Sequence, residues 1–209
     1  SGTLIADAFK SNKIEFISDI YKKSCLNQFI IGAFLFGGIW VNIDSILEIL
    51  GPEYVGGKWV IFFIGLAYLF DMATGSNGQI ISFSKHYRVA LYFVLALIVL
   101  VVITMYLVIP IFGITGGALA IAVSIFANNI MRFIFLKVKY KMQPFNAKFL
   151  IVSLIFVFAY YISTFIAEMN LILDILIRST VYTVLVILGI YFSKVSDDIN
   201  SMVNKYLKK

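Results

Sequence analysis

The sequence RVALYFVLALIVLVVITMYLVIP, residues 88–110, decides the fold class of this chain. It has no charged side chain between Arg88 and Pro110, and about 20 apolar residues are enough for one helix to cross the hydrocarbon core of a bilayer. Five further apolar runs are bounded by charges, glycine or proline. With this one they give six predicted spans, at about 26–50, 58–84, 88–109, 114–136, 148–167 and 171–193.

The composition points the same way and excludes several classes of site. Of the 209 residues, 61% are hydrophobic and 13% are charged, whereas soluble domains have about 45–50% and about 25%. The sequence therefore predicts an all-α, polytopic membrane helix bundle with six transmembrane helices. The lone Cys25 and the lone His86 exclude an internal disulfide and a metal site built from several such ligands. We expect no metal, no resident cofactor and no nucleic-acid partner.

The placement of basic residues predicts the orientation. Of the 17 lysines and arginines, all but Lys58 and Arg178 fall on one side of the predicted spans. The connections on the other side, at 51–57, 110–113 and 168–170, are short. Because cytoplasmic loops carry the excess of Lys and Arg, both ends of the chain are predicted to be cytoplasmic.

Four segments follow along the chain. Residues 1–25 predict a cytoplasmic amphipathic lead-in helix, 26–137 hold four spans, 138–193 hold two more, and 194–209 form a polar cytoplasmic tail. The chain opens without methionine or an apolar signal segment. We therefore expect it to be a fragment that lacks its native N-terminus.

The second predicted span has a polar face centred on Asp71. A charged group near the bilayer centre costs about 2.5–3.5 kcal/mol on the mildest scale. At 100° per residue, Asp71 shares one face with Thr74, Gly75, Gly78 and Gln79. A water-filled cavity and a helix–helix interface of small and polar residues both fit this face. The two glycines also permit a bend.

The fourth predicted span contains a second polar face. Asn128 and Arg132 lie four residues apart on it. The Arg132 guanidinium suits phosphate, which it binds in bidentate fashion, but it would also serve as an interfacial anchor. Gly116 and Gly117 at the start of this span predict close packing against a neighbouring helix.

The sixth predicted span carries Asp174 and Arg178, four residues apart. This spacing and order favour an intrahelical ion pair that neutralises both charges. A proton relay is the alternative interpretation.

Several local motifs together resemble the C-terminal half of bacterial polysaccharide flippases. These are the O-antigen and capsule exporters of the multidrug/oligosaccharidyl-lipid/polysaccharide (MATE-like) superfamily. The resemblance covers essentially the whole chain. Its motifs are IADA at 5–8, IYKKS at 20–24, GPEY at 51–54, SKHYR at 84–88, IPIFGITGGALA at 109–120 and QPF at 143–145.

The resemblance implies an architecture and a substrate. Spans one to four would complete a partial MATE-like lobe, spans five and six would be two accessory helices, and the missing N-terminal lobe of the same protein would be the partner. The implied substrate is undecaprenyl-pyrophosphate-linked oligosaccharide, flipped across the bacterial cytoplasmic (inner) membrane by alternating access. The expected substrate-binding or ion-coupling residues are Asp71, Thr74, Gln79, Asn128 and Arg132.

Two other functions remain open. In a cation-coupled multidrug exporter, Asp71 would be the carboxylate that couples to H⁺ or Na⁺. This alternative has support because the spans carry few cations for a headgroup cavity. A membrane-embedded polysaccharide polymerase or acyltransferase would need an acid–base site, for which the short outer connections leave no room. We therefore predict a transporter and not an enzyme.

Overall fold

The structure, a computed structural model, describes residues 2–166 and 170–207. Within those ranges the chain is all-α and contains no strand, which confirms the predicted fold class. A short 3-10 helix (Pro52–Gly57) connects the third and fourth α-helices. The α-helices are α1 (Gly2–Lys10), α2 (Ile14–Val41), α3 (Ile43–Leu50), α4 (Lys58–Thr74), α5 (Asn77–Phe83), α6 (Tyr87–Tyr140), α7 (Ala147–Thr164), α8 (Leu171–Ser193) and α9 (Asp197–Leu207).

The helices have the length and surface of a multi-pass membrane protein. Large apolar side chains of α6, including Tyr106, Ile111 and Ile114, are 72–85% exposed, and soluble proteins rarely leave extended apolar surfaces open to water. In the described part of the chain, five helical segments are long and apolar enough to cross a bilayer, namely Ile14–Val41, Pro52–Thr74, Tyr87–Tyr140, Ala147–Thr164 and Leu171–Ser193.

Helix α6 is a hairpin of two arms. A straight helix of its 54 residues would be roughly 80 Å long. Instead the backbone leaves the helical region at Gly113, with φ 58° and ψ −134°, and Asn128 Nδ2 donates a hydrogen bond to the Phe93 carbonyl at 2.6 Å. In a straight helix those two residues would be about 50 Å apart. The arms therefore fold back on each other, and counting them separately gives six candidate spans in the described chain, which is the predicted number.

Small and hydroxyl side chains hold the two arms together. Thr104 Oγ1 lies 2.9 Å from Ser124 Oγ. A Cβ atom on Gly116 would lie 2.5 Å from the Val108 carbonyl oxygen, so only glycine fits there. Gly117 has ordinary contact with Ile109, at 3.9 Å from an added Cβ.

The predicted span at 58–84 bends at Gly75, which has φ +50° and separates α4 from α5. A Cβ at this position would lie 2.8 Å from Cys25 Sγ and 3.2 Å from Cys25 Cα. Ser24 Oγ and Ser76 Oγ hydrogen-bond beside it at 3.0 Å. Gly75 is therefore both the bend and a point of close approach between α2 and this turn.

The predicted lead-in helix over 1–25 is wrong, because the chain turns between α1 and α2. Asn12 adopts the left-handed conformation, with φ +52°. Its N–H donates to the Phe9 carbonyl at 3.1 Å, and the Lys13 N–H donates to the Ala8 carbonyl at 2.9 Å. This is a Schellman motif, in which a left-handed residue ends the helix and satisfies its last carbonyls.

Helix α2 then runs through the predicted boundary at residue 25. Ile17, Tyr21 and Cys25, four residues apart, are all fully buried and form one continuous stripe. The predicted first span is in turn divided at Asn42, whose Nδ2 donates to the Gly38 carbonyl at 2.9 Å. Residues 26–50 are thus the last part of α2 followed by α3.

The chain packs as two compact units, and they do not follow the predicted segments. Unit 1 is Ser1–Phe29 with Phe63–Phe145, and unit 2 is Ile30–Phe62 with Asn146–Lys209. The segments 26–137 and 138–193 were expected to be separate groups of helices. Instead α7 and α8, the predicted accessory pair, share unit 2 with residues 30–62.

Tyr182 shows why the predicted accessory helices belong to this unit. Its hydroxyl donates to the Ala33 carbonyl at 3.1 Å, and its ring stacks on Phe34 with centroids 5.9 Å apart. Gly37 leaves the space that its ring occupies, because an added Cβ would overlap the tyrosine hydroxyl. Residues 167–169, at the junction of the predicted fifth span with the outer connection, and 208–209, at the end of the predicted tail, lie outside the described residues.

Candidate functional site

A polar network in unit 1 connects α4 and α5 with the second arm of α6. Asn129 is its centre. The Asn129 Nδ2 donates to Asp71 Oδ1 at 2.8 Å, while its Oδ1 accepts from Asn77 Nδ2 and from Thr74 Oγ1, both at 3.0 Å. One amide therefore fixes three side chains that come from two helices separated by the bend at Gly75.

Burial differs across this network. Thr74, Asn77 and Asn129 are buried, whereas Asp71 is half-buried. Within residues 2–166 and 170–207, the only hydrogen bond to the Asp71 carboxylate is the one that Oδ1 accepts from Asn129. The network thus holds one carboxylate oxygen in place and leaves the other open to a cation, a proton or a polar ligand.

Arg132 lies three residues beyond Asn129 on the same arm. Its guanidinium is half-buried and packs against Gly78, where an added Cβ would lie 3.1 Å from Nη1. It interacts electrostatically with Asp71, but it makes no hydrogen bond or ion pair of 4 Å or less within the described chain. Gly78 therefore serves as a packing position that lets the guanidinium lie close to α5.

Arg132 lines an open groove of about 410 Å³. Gln79 and Ser82 from α5 contribute polar groups to its lining, and Phe83, Phe93 and Val94 contribute apolar walls. The groove belongs wholly to unit 1. It places one cation, an amide and a hydroxyl beside apolar surface, which is the chemistry required to bind an anionic, amphipathic molecule.

The structure sorts the predicted site residues into three groups. Asp71 and Thr74 join the buried network, and Gln79 and Arg132 line the groove. Asn128 belongs to neither, since its side chain holds the α6 hairpin through the Phe93 carbonyl. The binding or coupling role of Asn128 stays a prediction, and in the structure its side chain joins the two arms of α6.

Two network members were not predicted as site residues. The four-residue spacing of Asn128 and Arg132 favours Asn128 in the sequence, although the three-residue spacing of Asn129 and Arg132 also places two side chains on one helix face. Asn77 had no signal in the sequence. It joins the network only because the bend at Gly75 reorients α5 relative to α4.

Unit 2 contains the predicted ion pair. Arg178 Nε lies 2.9 Å from Asp174 Oδ1, and the two side chains are only 16% and 7% exposed. Ser45 Oγ also donates to Asp174 Oδ2, at 3.2 Å, and Arg178 Nη2 donates to the Ile166 carbonyl at 3.3 Å. This arrangement neutralises both charges in place and presents no free cation to a ligand.

Among the described residues, no three His, Cys, Asp or Glu side chains come together in a way that could hold a metal ion. Comparison with protein-family models, with curated proteins and with solved structures finds no match to the chain.

Proposed function

We propose that the chain forms part of a flippase that moves undecaprenyl-pyrophosphate-linked oligosaccharide across the bacterial cytoplasmic membrane for O-antigen or capsule synthesis. The observation that carries the proposal is the Arg132 guanidinium, which has no counter-ion within 4 Å in the described chain and lines an open groove. An unpaired charge within a membrane-spanning helix is costly. A pyrophosphate headgroup would offset that cost, because guanidinium binds phosphate oxygens through two parallel hydrogen bonds.

The remaining groove lining suits the rest of such a substrate. Gln79 and Ser82 add polar side chains to the lining, which suits the hydroxyl groups of a sugar. Phe83, Phe93 and Val94 give apolar surface for sugar rings or for the first isoprene units of the lipid. Transport of this kind makes and breaks no covalent bond, so it needs no acid–base pair.

The proposal includes an orientation and a partner. Both ends of the chain face the cytoplasm, because the lysines and arginines outside Lys58 and Arg178 fall on one side of the spans. An N-terminal lobe of the same protein supplies the other wall of a cavity, and rocking of the lobes gives alternating access.

The decisive experiment replaces Arg132 in the full-length protein. Arg132→Gln removes a charge-assisted contact worth about 1.5–3 kcal/mol, so we expect export to fall at least about tenfold. The measurement is the lipid-linked oligosaccharide that becomes accessible on the outer leaflet, at matched protein level. Arg88→Gln is the control, because Arg88 is exposed and lies outside this groove. Normal export by the Arg132 variant would contradict the proposal.

A cation-coupled multidrug exporter is the second candidate, and the open oxygen of Asp71 favours it. Asp71→Asn keeps the shape of the side chain and removes its charge. In such an exporter this variant loses drug efflux and its dependence on a H⁺ or Na⁺ gradient, while Arg132→Gln leaves efflux of a hydrophobic cation intact. The opposite pattern, in which Arg132→Gln abolishes oligosaccharide export and drug efflux is absent throughout, supports the flippase.

A further inference from the structure

A second groove, of about 440 Å³, lies where the two ends of the α6 hairpin meet α1. It is distinct from the Arg132 groove and shares none of its lining residues. Lys85 and His86 precede the first arm, and Lys139, Tyr140 and Lys141 end the second arm. The hairpin thus brings two basic segments that are distant in the sequence to one site.

The charges in this groove have one sign. Lys85, Lys139 and Lys141 are exposed, and none of them makes an ion pair or a hydrogen bond within the described chain. The lining contains no Asp or Glu. Three lysines therefore line a space whose lining holds no protein counter-ion.

Aromatic packing fixes the floor of the groove. His86 Nδ1 and Tyr140 Oη hydrogen-bond at 2.7 Å, and the Tyr140 ring packs edge-on against Phe9 with centroids 5.8 Å apart. Phe135 packs edge-on with the His86 ring, with centroids also 5.8 Å apart. The second imidazole nitrogen has no hydrogen-bond partner among the described residues. This nitrogen is therefore held next to the lysines and can hydrogen-bond to a ligand.

The electrostatics of His86 agree with an anion site. Desolvation lowers the pKa of His86 from its ordinary 6.5, and the charges of Lys139 and Lys85 lower it further. A bound anion would reverse the effect of the two lysines.

We propose that this groove binds the phosphate group of an anionic lipid headgroup. The arms of α6 cross the bilayer, so their ends come to the depth at which headgroups lie. Basic pockets between membrane helices recognise such headgroups, and each nearby Lys contributes favourably. Free inorganic phosphate shares the same chemistry, and the experiment separates the two sources. The site does not depend on the flippase proposal, since its ligand is a component of the membrane.

The test uses the full-length protein in nanodiscs of phosphatidylcholine, with and without phosphatidylglycerol. The readouts are the thermal unfolding midpoint and the phosphatidylglycerol retained after exchange into phosphatidylcholine. We expect phosphatidylglycerol to raise the midpoint, and Lys139→Gln/Lys141→Gln to weaken retention about thirtyfold. A parallel arm adds inorganic phosphate alone to the phosphatidylcholine nanodiscs. Stabilisation in that arm, lost in the same variant, would identify free phosphate as the ligand.

Lys23→Gln/Lys137→Gln is the matched control. It removes two exposed lysines of unit 1 that do not line the groove, so we expect it to retain the lipid as the unmodified protein does. Equal losses in both double variants would show that only general surface charge matters, and would overturn the site. The proposed site would also be overturned if neither the lipid nor phosphate stabilised the protein. The unfolding midpoint in pure phosphatidylcholine shows that each variant is folded.

Discussion

Both units place an aspartate and an arginine on membrane-spanning helices, but they use the two charges differently. In unit 2, Asp174 and Arg178 contact each other at 2.9 Å in a buried setting. In unit 1, Asp71 is held by the Asn129 amide, while Arg132 lines a groove without a hydrogen-bond partner in the described chain. The same pair of residue types is neutralised internally in one unit and left available in the other.

This difference indicates which charges are structural. A buried ion pair contributes little net stability, but removal of one partner is strongly destabilising, because the other charge is left uncompensated. A charge without an ion-pair partner on a membrane-spanning helix is costly and adds no comparable stability to the fold. Under the proposed function the Arg132 guanidinium is available to a ligand, and for that reason we propose the ligand site there.

The largest predicted effect is the loss of stability on breaking the pair in unit 2. Arg178→Met leaves Asp174 buried without its partner and should lower the free energy of unfolding by about 3–5 kcal/mol. Arg132→Met should change it by less than about 1 kcal/mol. Reversible unfolding in mixed micelles measures both variants.

Its control is the double variant Asp174→Asn/Arg178→Met. This variant has no buried charge, and the amide oxygen introduced in place of the carboxylate would still accept the hydrogen bond from Ser45, so most of the lost stability should return. The comparison between the units fails if Arg132→Met is as destabilising as Arg178→Met.

A smaller effect is expected at the amide that holds Asp71. Asn129→Ala leaves the buried Asn77 and Thr74 without their shared acceptor, which should cost about 2–3 kcal/mol. Ser45→Ala, the corresponding change beside Asp174, removes a single hydrogen bond and should cost about 1 kcal/mol. The same unfolding measurement applies. Equal costs for the two variants would mean that Asn129 does not organise a network.

Much of the fold was predictable because it depends on local sequence. Uncharged apolar runs predicted the spans, and the short stretch from Pro110 to Gly113 marked the turn of the α6 hairpin. Gly75 and Gly78 were predicted to permit a bend, and the bend falls at Gly75, since glycine adopts a positive φ without strain. Each of these features needs only nearby residues and a fixed helical geometry.

The remaining features depend on contacts between distant segments. Neighbouring helix positions differ by 100°, so the sequence did not decide whether Asn128 or Asn129 faces α4. The hairpin determines which one does, because Asn128 hydrogen-bonds to the Phe93 carbonyl of the first arm and Asn129 then faces α4. Similarly, α8 packs with residues 30–62 because Tyr182 fits the space at Gly37. The hydropathy of the sequence does not reveal this contact.

The hairpin turn offers a further test, because it sets the position of Arg132 but not of Arg178. Gly113→Ala forces a side chain into a positive φ with no neighbour within 4 Å, so backbone strain alone should cost about 1–2 kcal/mol. Gly117→Ala is the control, since its added Cβ would have only ordinary contact. We expect Gly113→Ala, and not Gly117→Ala, to reduce export. Equal stability of the two variants would show that the turn does not require glycine.

The smallest effect distinguishes the units by pH, because the only histidine, His86, is in unit 1. Its pKa lies below 6.5 in the folded protein, so near that pH the folded state binds fewer protons than the unfolded state. Stability therefore rises with pH from the lowered pKa to about 6.5, and falls slightly on acidification through this window.

The NMR titration of the His86 ring in phosphatidylcholine nanodiscs tests the cause of this shift. Lys139→Gln should move the midpoint toward 6.5, and Lys85→Gln should move it less, since Lys139 has the larger influence. Lys23→Gln, which removes a lysine outside the groove, should leave the midpoint unchanged. If neither groove variant moves it, the lysines do not act on His86, and the weak pH dependence of unit 1 would come from desolvation alone.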